Sequence, residues 1–165
     1  MEKKLTKVSL LNALLRITLG LIFFWAFIDK VFGLGFATTT DKSWLKGASP
    51  TIGFLKFGTK GPFVEIFQAM AGNPLVDWLF MLGLLFIGLA LIFGVGVRIA
   101  SVSGVILMLL MWLAVLPKQN HPFLDEHIVY ALTLLIFTCT HPGRYLGIGN
   151  RWSETALVQK HPWLE

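Results

Sequence analysis

Four long apolar stretches dominate the chain, covering residues 8–28, 75–97, 99–116 and 124–142. The hydrocarbon core of a bilayer takes about 20 residues of α-helix, a length that the first three stretches reach directly. The fourth reaches it only with Asp125, Glu126 and His127 as its first turn, so we expect this end at the membrane surface. Only 14% of the residues are charged, too few for a soluble protein of ordinary composition. We therefore predict an all-α integral membrane protein, a four-transmembrane-helix bundle in which residues 1–165 form one domain.

The distribution of lysine and arginine predicts how the bundle is oriented. Lys3, Lys4 and Lys7 precede the first apolar stretch as in a signal peptide, but no small-residue cleavage site follows, so we interpret the stretch as a retained span. With four spans the two termini share one side, which holds a slight excess of Lys and Arg close to the spans. We expect a multi-pass plasma-membrane protein with both termini in the cytoplasm. The net charge of +5 forms no basic face, so we expect membrane lipid as a partner and no nucleic acid.

The first external loop, residues 31–74, is much longer than the other connections, and long loops are usually functional or separately folded. Ser49 followed by Pro50 is typical of a helix start. The segment PFVEIFQAMAGNP carries apolar residues at helical spacing and is ended by Gly72 and Pro74. We expect two short helices in the outer membrane interface. Composition leaves open whether they cap the bundle or form a lid over a substrate.

Two polar stripes predict which helices face each other. Arg16 lies about 13 Å along the first helix from Lys7, too deep to reach the surface comfortably, so it needs partners inside the bundle. One face of the first helix carries Arg16, Gly20, Phe23, Phe27 and Lys30, and one face of the fourth carries Glu126, Tyr130, Thr133, Phe137 and Thr140. We predict that these faces meet and that Lys30 pairs with Glu126. Arg16 would then be hydrated near Thr140 and His141.

The connection GVGVR between the second and third spans is short enough to be a tight hairpin. Ala100 and Gly104 put small residues one helical turn apart at the start of the third span, where helices can approach closely. We therefore predict that the second and third spans pack as an antiparallel pair.

The outer ends of the spans collect acids, bases and cations that suit proton-coupled redox chemistry. A histidine beside a carboxylate moves protons near neutral pH, as reduction of a quinone to a quinol requires. We assign this catalytic role to Glu126, His127 and Asp125. Aromatic side chains would form a flat apolar slot for the ring, and the quinone-binding residues we assign are Arg16, Phe27, Tyr130 and Trp112. Taken singly, the tryptophans are more typical of anchors at the membrane interface than of ligands.

No motif in the sequence provides a bound redox centre. The outer residues His121, Asp125, Glu126 and His127 lack a regular metal-ligand spacing, and Cys139 is the only cysteine. No haem, iron–sulfur or dinucleotide-binding pattern occurs. We predict no protein-bound metal or flavin, with a quinone as electron acceptor and any further cofactor on a partner chain.

Five segments in order carry a resemblance to a known family: LLRITLGLIFFWAFIDKVFGL, WLKGASPTIGFL, GVGVR, HIVYALTLL and HPGRYLGIGNRW. They resemble the DoxX/DoxD membrane protein family, and the SPTxGFL pattern is similar to the DoxD branch, the large subunit of thiosulfate:quinone oxidoreductase. Arg16, Gly20 and Lys30 are the most recognisable positions.

The resemblance implies oxidation of two thiosulfate anions to tetrathionate outside the cytoplasm, with electrons passed to a membrane quinone. It also implies a small DoxA-like subunit as partner. Two thiosulfate dianions repel each other, so cations must offset that repulsion before a sulfur–sulfur bond forms. The substrate-binding residues we assign are the cations Lys30, Lys118 and His121, with Trp44 and Ser49 on the long loop as a lid.

Two other readings of the sequence remain open. One is a non-catalytic DoxX-type subunit of a larger respiratory or oxidoreductase complex, which would contact subunits that carry the cofactors. The other is a small transporter or channel, which normally has an inverted repeat or broken helices, and the sequence contains neither. A homo-oligomer is compatible with each of these readings.

Overall fold

Helices account for the regular structure in the computed structural model, which describes residues 6–117 and 121–165. In these two ranges there is no β-strand, which confirms the all-α prediction. The α-helices are α1 (Lys7–Phe32), α2 (Val64–Ala69), α3 (Pro74–Phe93), α4 (Val97–Ala114), α5 (Glu126–Thr140), α6 (Gly149–Ser153) and α7 (Ala156–Lys160). Short 3-10 or π-helical segments are Thr40–Lys42, Trp44–Lys46, Phe54–Gly58, Gly61–Phe63, Pro142–Arg144 and Pro162–Leu164.

Three of the described helices, α1, α3 and α4, are long and apolar enough to cross a membrane. The helix α5 is also apolar, but its 15 residues measure only about 22 Å. It is shorter than the predicted fourth span because it begins at Glu126 and ends at Thr140, where the next residue, His141, has a left-handed backbone (φ 48°). A total of four spans therefore stays a prediction.

Local signals set the ends of the long helices. The α1 helix starts with a reciprocal capping box between Thr6 and Ser9, and it continues to Phe32 because Gly33 is the first residue to turn left-handed (φ 67°). The α3 helix starts at Pro74 behind the side-chain cap of Asn73 and ends at Gly94 (φ 77°). The first span is thus longer, and the second shorter, than their apolar stretches predict.

The helices pack mainly as two pairs, α1 with α3 and α4 with α5, and α3 also contacts α4. Contact between α1 and α5 is slight, so the predicted facing of the first and fourth helices is wrong. Two glycines allow α1 and α3 to approach closely. A Cβ atom on Gly20 would lie 2.8 Å from the backbone nitrogen of Ile92, and one on Gly88 would lie 2.8 Å from that of Phe24. The stripe that contains Gly20 therefore faces α3.

The outside of the bundle is as apolar as its inside. The buried core includes Leu19, Phe23, Leu84, Leu91, Met108, Leu134 and Phe137. Exposed side chains on the long helices include Leu11, Leu21, Phe86, Ile106 and Leu132. Apolar surface all round a helix bundle indicates that lipid, and not water, surrounds it.

The bundle has two distinct ends. We call the end where α1 and α4 finish and α3 and α5 begin the loop end, because residues 33–73 lie there. We call the opposite end, where α1 begins and residues 141–165 lie, the termini end.

Candidate functional site

Arg16 is completely buried, as its depth in the first span predicts, but its partners differ from the prediction. Its Nη1 donates to the carbonyl oxygens of Leu91 and Ile92, and its Nη2 donates to those of Tyr145 (3.1 Å) and Leu146 (3.0 Å). The first two carbonyls end α3, where the helix dipole favours a cation. Arg16 therefore joins three segments at the termini end through backbone oxygens.

Hydration of Arg16 by Thr140 and His141 is not the arrangement observed. The hydroxyl of Thr140 donates to the carbonyl of Ile136 in its own helix, at 3.0 Å. Four donated bonds leave only the Nε–H of Arg16 without a partner among the described residues. A guanidinium held in this way acts as a structural clamp.

Lys30 lies at the loop end, and its ammonium group is 5.8 Å from the centroid of the Phe80 ring. The predicted ion pair with Glu126 is not formed, since α1 packs against α3 and the Glu126 side chain is 68% exposed. In the described residues Lys30 makes no ion pair within 4 Å. The neighbouring Asp29 turns away and accepts hydrogen bonds from the backbone of Phe36 and Ala37.

Trp44 and Ser49, the predicted lid residues, fasten the long loop to the first turn of α3. Oδ1 of Asp77 accepts hydrogen bonds from Ser49 Oγ at 2.8 Å and from Thr51 Oγ1 at 2.5 Å. The rings of Trp44 and Trp78 meet edge to face, with centroids 4.7 Å apart. Ser49 also accepts from the backbone of Ile52, as its predicted capping role requires.

The loop is also attached to the end of α4. The backbone N–H of Lys60 donates to the carbonyl of Ala114 at 2.8 Å. Together with the contacts of Asp77, this bond makes the loop a bridge from the beginning of α3 to the end of α4.

A cavity of about 530 Å³ lies between α3 and α4 beneath this bridge, and we call it the α3/α4 cleft. Its roof consists of Pro50, Thr51, Phe54, Leu55, Phe67 and Met70. Its walls are Val76, Leu79, Phe80, Gly83 and Ile87 of α3, and Ser103, Ile106, Leu107, Leu110, Met111 and Ala114 of α4. Lys30 is the only charged residue among the described lining residues, and Thr51 and Ser103 are the only hydroxyls. Volume and lining are those of a site for an apolar molecule with one polar end.

Asp125, Glu126 and His127 lie at the start of α5, outside the cleft lining. Nδ1 of His127 is 2.7 Å from Oδ2 of Asp125, and both side chains are largely buried. Since the carboxylate favours a proton on Nδ1, the neutral ring presents Nε2 as its acceptor. The arrangement is that of a base with an orienting carboxylate.

Asp125, Glu126 and His127 are also close enough together to share a metal ion. Their ligand atoms lie within 4.8 Å of one another. However, both carboxylate oxygens of Asp125 already contact His127, one its ring and the other its backbone N–H.

The remaining outer residues stabilise the connection to α5. Nδ1 of His121 accepts from the backbone of Phe123 and Leu124, and Trp112 Nε1 donates to the carbonyl of Phe123 at 2.6 Å. His121 therefore offers only Nε2 to a substrate. Lys118, the other predicted substrate cation, lies outside the described residues.

The four predicted quinone-binding residues do not lie together. Arg16 is held at the termini end, about 24 Å along α1 from the loop end, where Trp112 lies. Phe27 stacks on Phe24 of its own helix, and Tyr130 packs against the core. One ring cannot contact both Arg16 and Trp112, and none of the four lines the cleft.

Sequence reasoning missed the cleft because its walls resemble ordinary membrane-helix residues. Only Lys30 had been singled out for binding, and as a ligand for thiosulfate. Gly83 is one of two glycines, with Gly88, in the second apolar stretch, and the sequence does not distinguish the one that lines the cleft from the one that packs against α1.

A second ionic contact lies at the termini end. Arg144 donates to both carboxylate oxygens of Glu165, through Nε and, at 2.7 Å, through Nη2. The bond to Glu165 raises the pKa of the Arg144 guanidinium above its ordinary value. This pair ties the last residues to the turn that follows α5.

Comparisons with protein-family models, curated proteins and solved structures return no match to this chain. The resemblance to the DoxX/DoxD family therefore stays a prediction from the sequence.

Proposed function

We propose that this chain is the membrane subunit of a quinone-linked sulfur oxidoreductase, which oxidises thiosulfate to tetrathionate and reduces a membrane quinone. The observation that carries the proposal is the α3/α4 cleft, with Lys30 as the one cation among its described lining residues. A quinone ring is flat and apolar, and its carbonyl oxygens become negative as electrons arrive. An ammonium group in a cavity of low polarity stabilises such a charge far better than it would in water.

The reaction balances without a further oxidant. Two thiosulfate dianions each lose one electron and join through a new sulfur–sulfur bond, and the quinone takes up two electrons and two protons. His127, oriented by Asp125, is suited to passing protons near neutral pH, with Glu126 next to it at the surface. The choice of thiosulfate as donor rests on the resemblance to the DoxD branch.

The proposal includes four spans in the plasma membrane, with α5 as the fourth and the loop helices in the outer interface. The face of α5 away from α4 supports this, because Val129, Leu132, Leu135 and Ile136 are exposed and apolar. Both termini are cytoplasmic in the proposal. Lys7 and Arg98 lie directly beside the spans at the termini end, whereas the exposed lysines of the loop end lie within the long loop, and this difference supports the orientation.

The second candidate is a non-catalytic DoxX-type subunit of a larger respiratory or oxidoreductase complex. The cleft favours it in one respect, because its described lining contains no histidine, cysteine or carboxylate. Electrons would then reach the quinone from a cofactor on a partner chain of that complex.

The deciding experiment measures reduction of a quinone analogue by the purified protein, with and without co-purifying chains, and follows tetrathionate in parallel. One quinol formed per tetrathionate supports the oxidoreductase. Replacing Lys30 by Met should then reduce turnover about 100-fold, the scale of losing one charge-stabilising group. The control is Lys42→Met, which removes an exposed cation of the same loop end.

Absence of thiosulfate-dependent reduction, with the protein folded and its partner chains retained, would overturn the proposal in favour of the second candidate.

A further inference from the structure

The α3/α4 cleft is longer than a quinone ring needs. Its lining on α3 extends from Val76 to Ile87, and on α4 from Ser103 to Ala114. Eleven residues of helix rise about 16 Å, whereas a six-membered ring with its substituents is less than half as long. The cleft therefore runs from the roof at the loop end towards the middle of the bundle.

Gly83 is the residue that keeps the deeper part of this cleft open. A Cβ atom at Gly83 would meet no atom within 4 Å. Gly20 and Gly88 differ, because neighbouring backbone occupies the space that their Cβ atoms would take. Glycine in a helix is less stable than alanine, and no contact within the described residues requires it at position 83. Its missing side chain leaves room for a molecule that the chain itself does not supply.

Polarity is uneven along the cleft. The ammonium of Lys30 lies against Phe80, and the hydroxyl of Thr51 belongs to the roof. Past Gly83 the described lining is apolar apart from Ser103. A ligand that matches this pattern has an oxygen-bearing head near Lys30 and an apolar tail.

We propose that the α3/α4 cleft binds a tailed quinone, with the ring under the roof beside Lys30 and the hydrocarbon tail passing Gly83 into the bilayer. The proposal rests on the proposed function for the identity of the head group. A phospholipid fits less well, because a phosphate is usually held by several donors. The described lining offers the ammonium of Lys30 and the hydroxyl of Ser103 at the other end of the cleft, since the hydroxyl of Thr51 already donates to Asp77.

The test measures binding alone and uses no sulfur donor. Purified protein is titrated with a ubiquinone analogue that carries a ten-carbon tail and with the same ring without a tail, compared at equal concentrations in the detergent micelle. We expect the tailed analogue to bind at least about tenfold more tightly, since burial of each methylene adds to affinity.

Gly83→Phe should remove this advantage, so that both analogues bind with the affinity of the tailless ring. Leu82→Phe is the matched control, because Leu82 is the next residue of α3, is exposed and does not line the cleft. It should keep the tenfold difference. Ser103→Leu fills the cleft from the opposite wall and should also remove the affinity advantage of the tailed analogue. It provides the same test if Gly83→Phe does not fold.

Equal affinities for the two analogues in the native protein, or an unchanged advantage in both Gly83→Phe and Ser103→Leu, would overturn the inference. So would a phospholipid that remains bound in the purified protein and is displaced by neither analogue. A negative result in the thiosulfate assay would leave these binding results unchanged. The proposed function and the proposed binding of a tailed quinone can therefore be disproved independently.

Discussion

The hydroxyl of Thr51 donates a 2.5 Å hydrogen bond to the carboxylate of Asp77, and this contact holds the roof of the α3/α4 cleft on the first turn of α3. Ser49 donates to the same oxygen. One carboxylate in α3 therefore determines where the middle of a 41-residue connection, residues 33–73, is attached.

Replacing Asp77 by Ala should loosen the roof. Two hydroxyls lose their acceptor, and Thr51 is buried, so the free energy of unfolding should fall by about 1–3 kcal/mol. Limited proteolysis of residues 44–60 should become faster. Glu65→Ala, at an exposed position of the same loop, should change neither quantity. Equal protection of the loop in both variants would contradict the role of Asp77.

Arg16→Lys should destabilise the protein although it keeps the positive charge. A lysine is a point donor, and it cannot bridge the end of α3 and the carbonyls of residues 145 and 146 at once. We expect a loss of at least about 3 kcal/mol, measured by denaturant unfolding in detergent. Arg151→Lys, at an exposed position of α6, is the control and should be neutral. Equal stability of the two variants would exclude the clamp.

Two alanine substitutions in α3 should change the free energy of unfolding in opposite directions. Gly88→Ala places a methyl group 2.8 Å from the backbone nitrogen of Phe24, so α1 must move away, at a cost of about 1–3 kcal/mol. Gly83→Ala meets no atom within 4 Å and should stabilise the helix by about 0.5–1 kcal/mol. Thermal unfolding of the two proteins checks the sign of each change. If both substitutions shifted the melting temperature in the same direction, the two glycines would have equivalent surroundings and the prediction would be wrong.

His127→Gln should slow quinone reduction by about 100-fold or more without loss of folded protein, because the oriented imidazole would no longer move protons. Glu126→Gln should have a smaller effect, since its side chain is 68% exposed. His161→Gln, an exposed histidine at the termini end, is the control. Initial rates in the coupled quinone and tetrathionate assay provide the comparison. A full rate in His127→Gln would remove this residue from the mechanism.

Local features of this fold could be predicted from the sequence. Ser49 caps the segment after it as predicted, because a cap depends on a few adjacent residues, whereas the end of α3 at Gly94 lies three residues before the predicted end of the second span. The burial of Arg16 also followed from its distance to the ends of an apolar run.

The contact of α3 with α4 agrees with the prediction from the short GVGVR connection. The partner of the first helix could not be predicted, because it depends on two segments that are far apart in the chain. The stripe through Gly20 and Lys30 was correct as a face of the first helix. Its partner was wrong because the matching glycine, Gly88, is in the second apolar stretch and not in the fourth.

The acceptors of Arg16 and the α3/α4 cleft were beyond sequence reasoning for a different reason. Backbone carbonyls occur at every residue, so no side-chain pattern marks the four that receive the guanidinium. The cleft depends on the missing side chain of Gly83 and on the apolar side chains around it, which are of types common in any membrane helix.

The position of Arg16 also has a consequence for biosynthesis. Its acceptor at Tyr145 is 129 residues further along the chain, so the ribosome releases α1 long before that carbonyl exists. During translation the guanidinium enters the translocon with no protein partner from residues 145 and 146, and water or lipid phosphate must solvate it. Docking of the turn at residues 145 and 146 then gives Arg16 its remaining acceptors, so a segment that is synthesised later secures a helix that was inserted earlier.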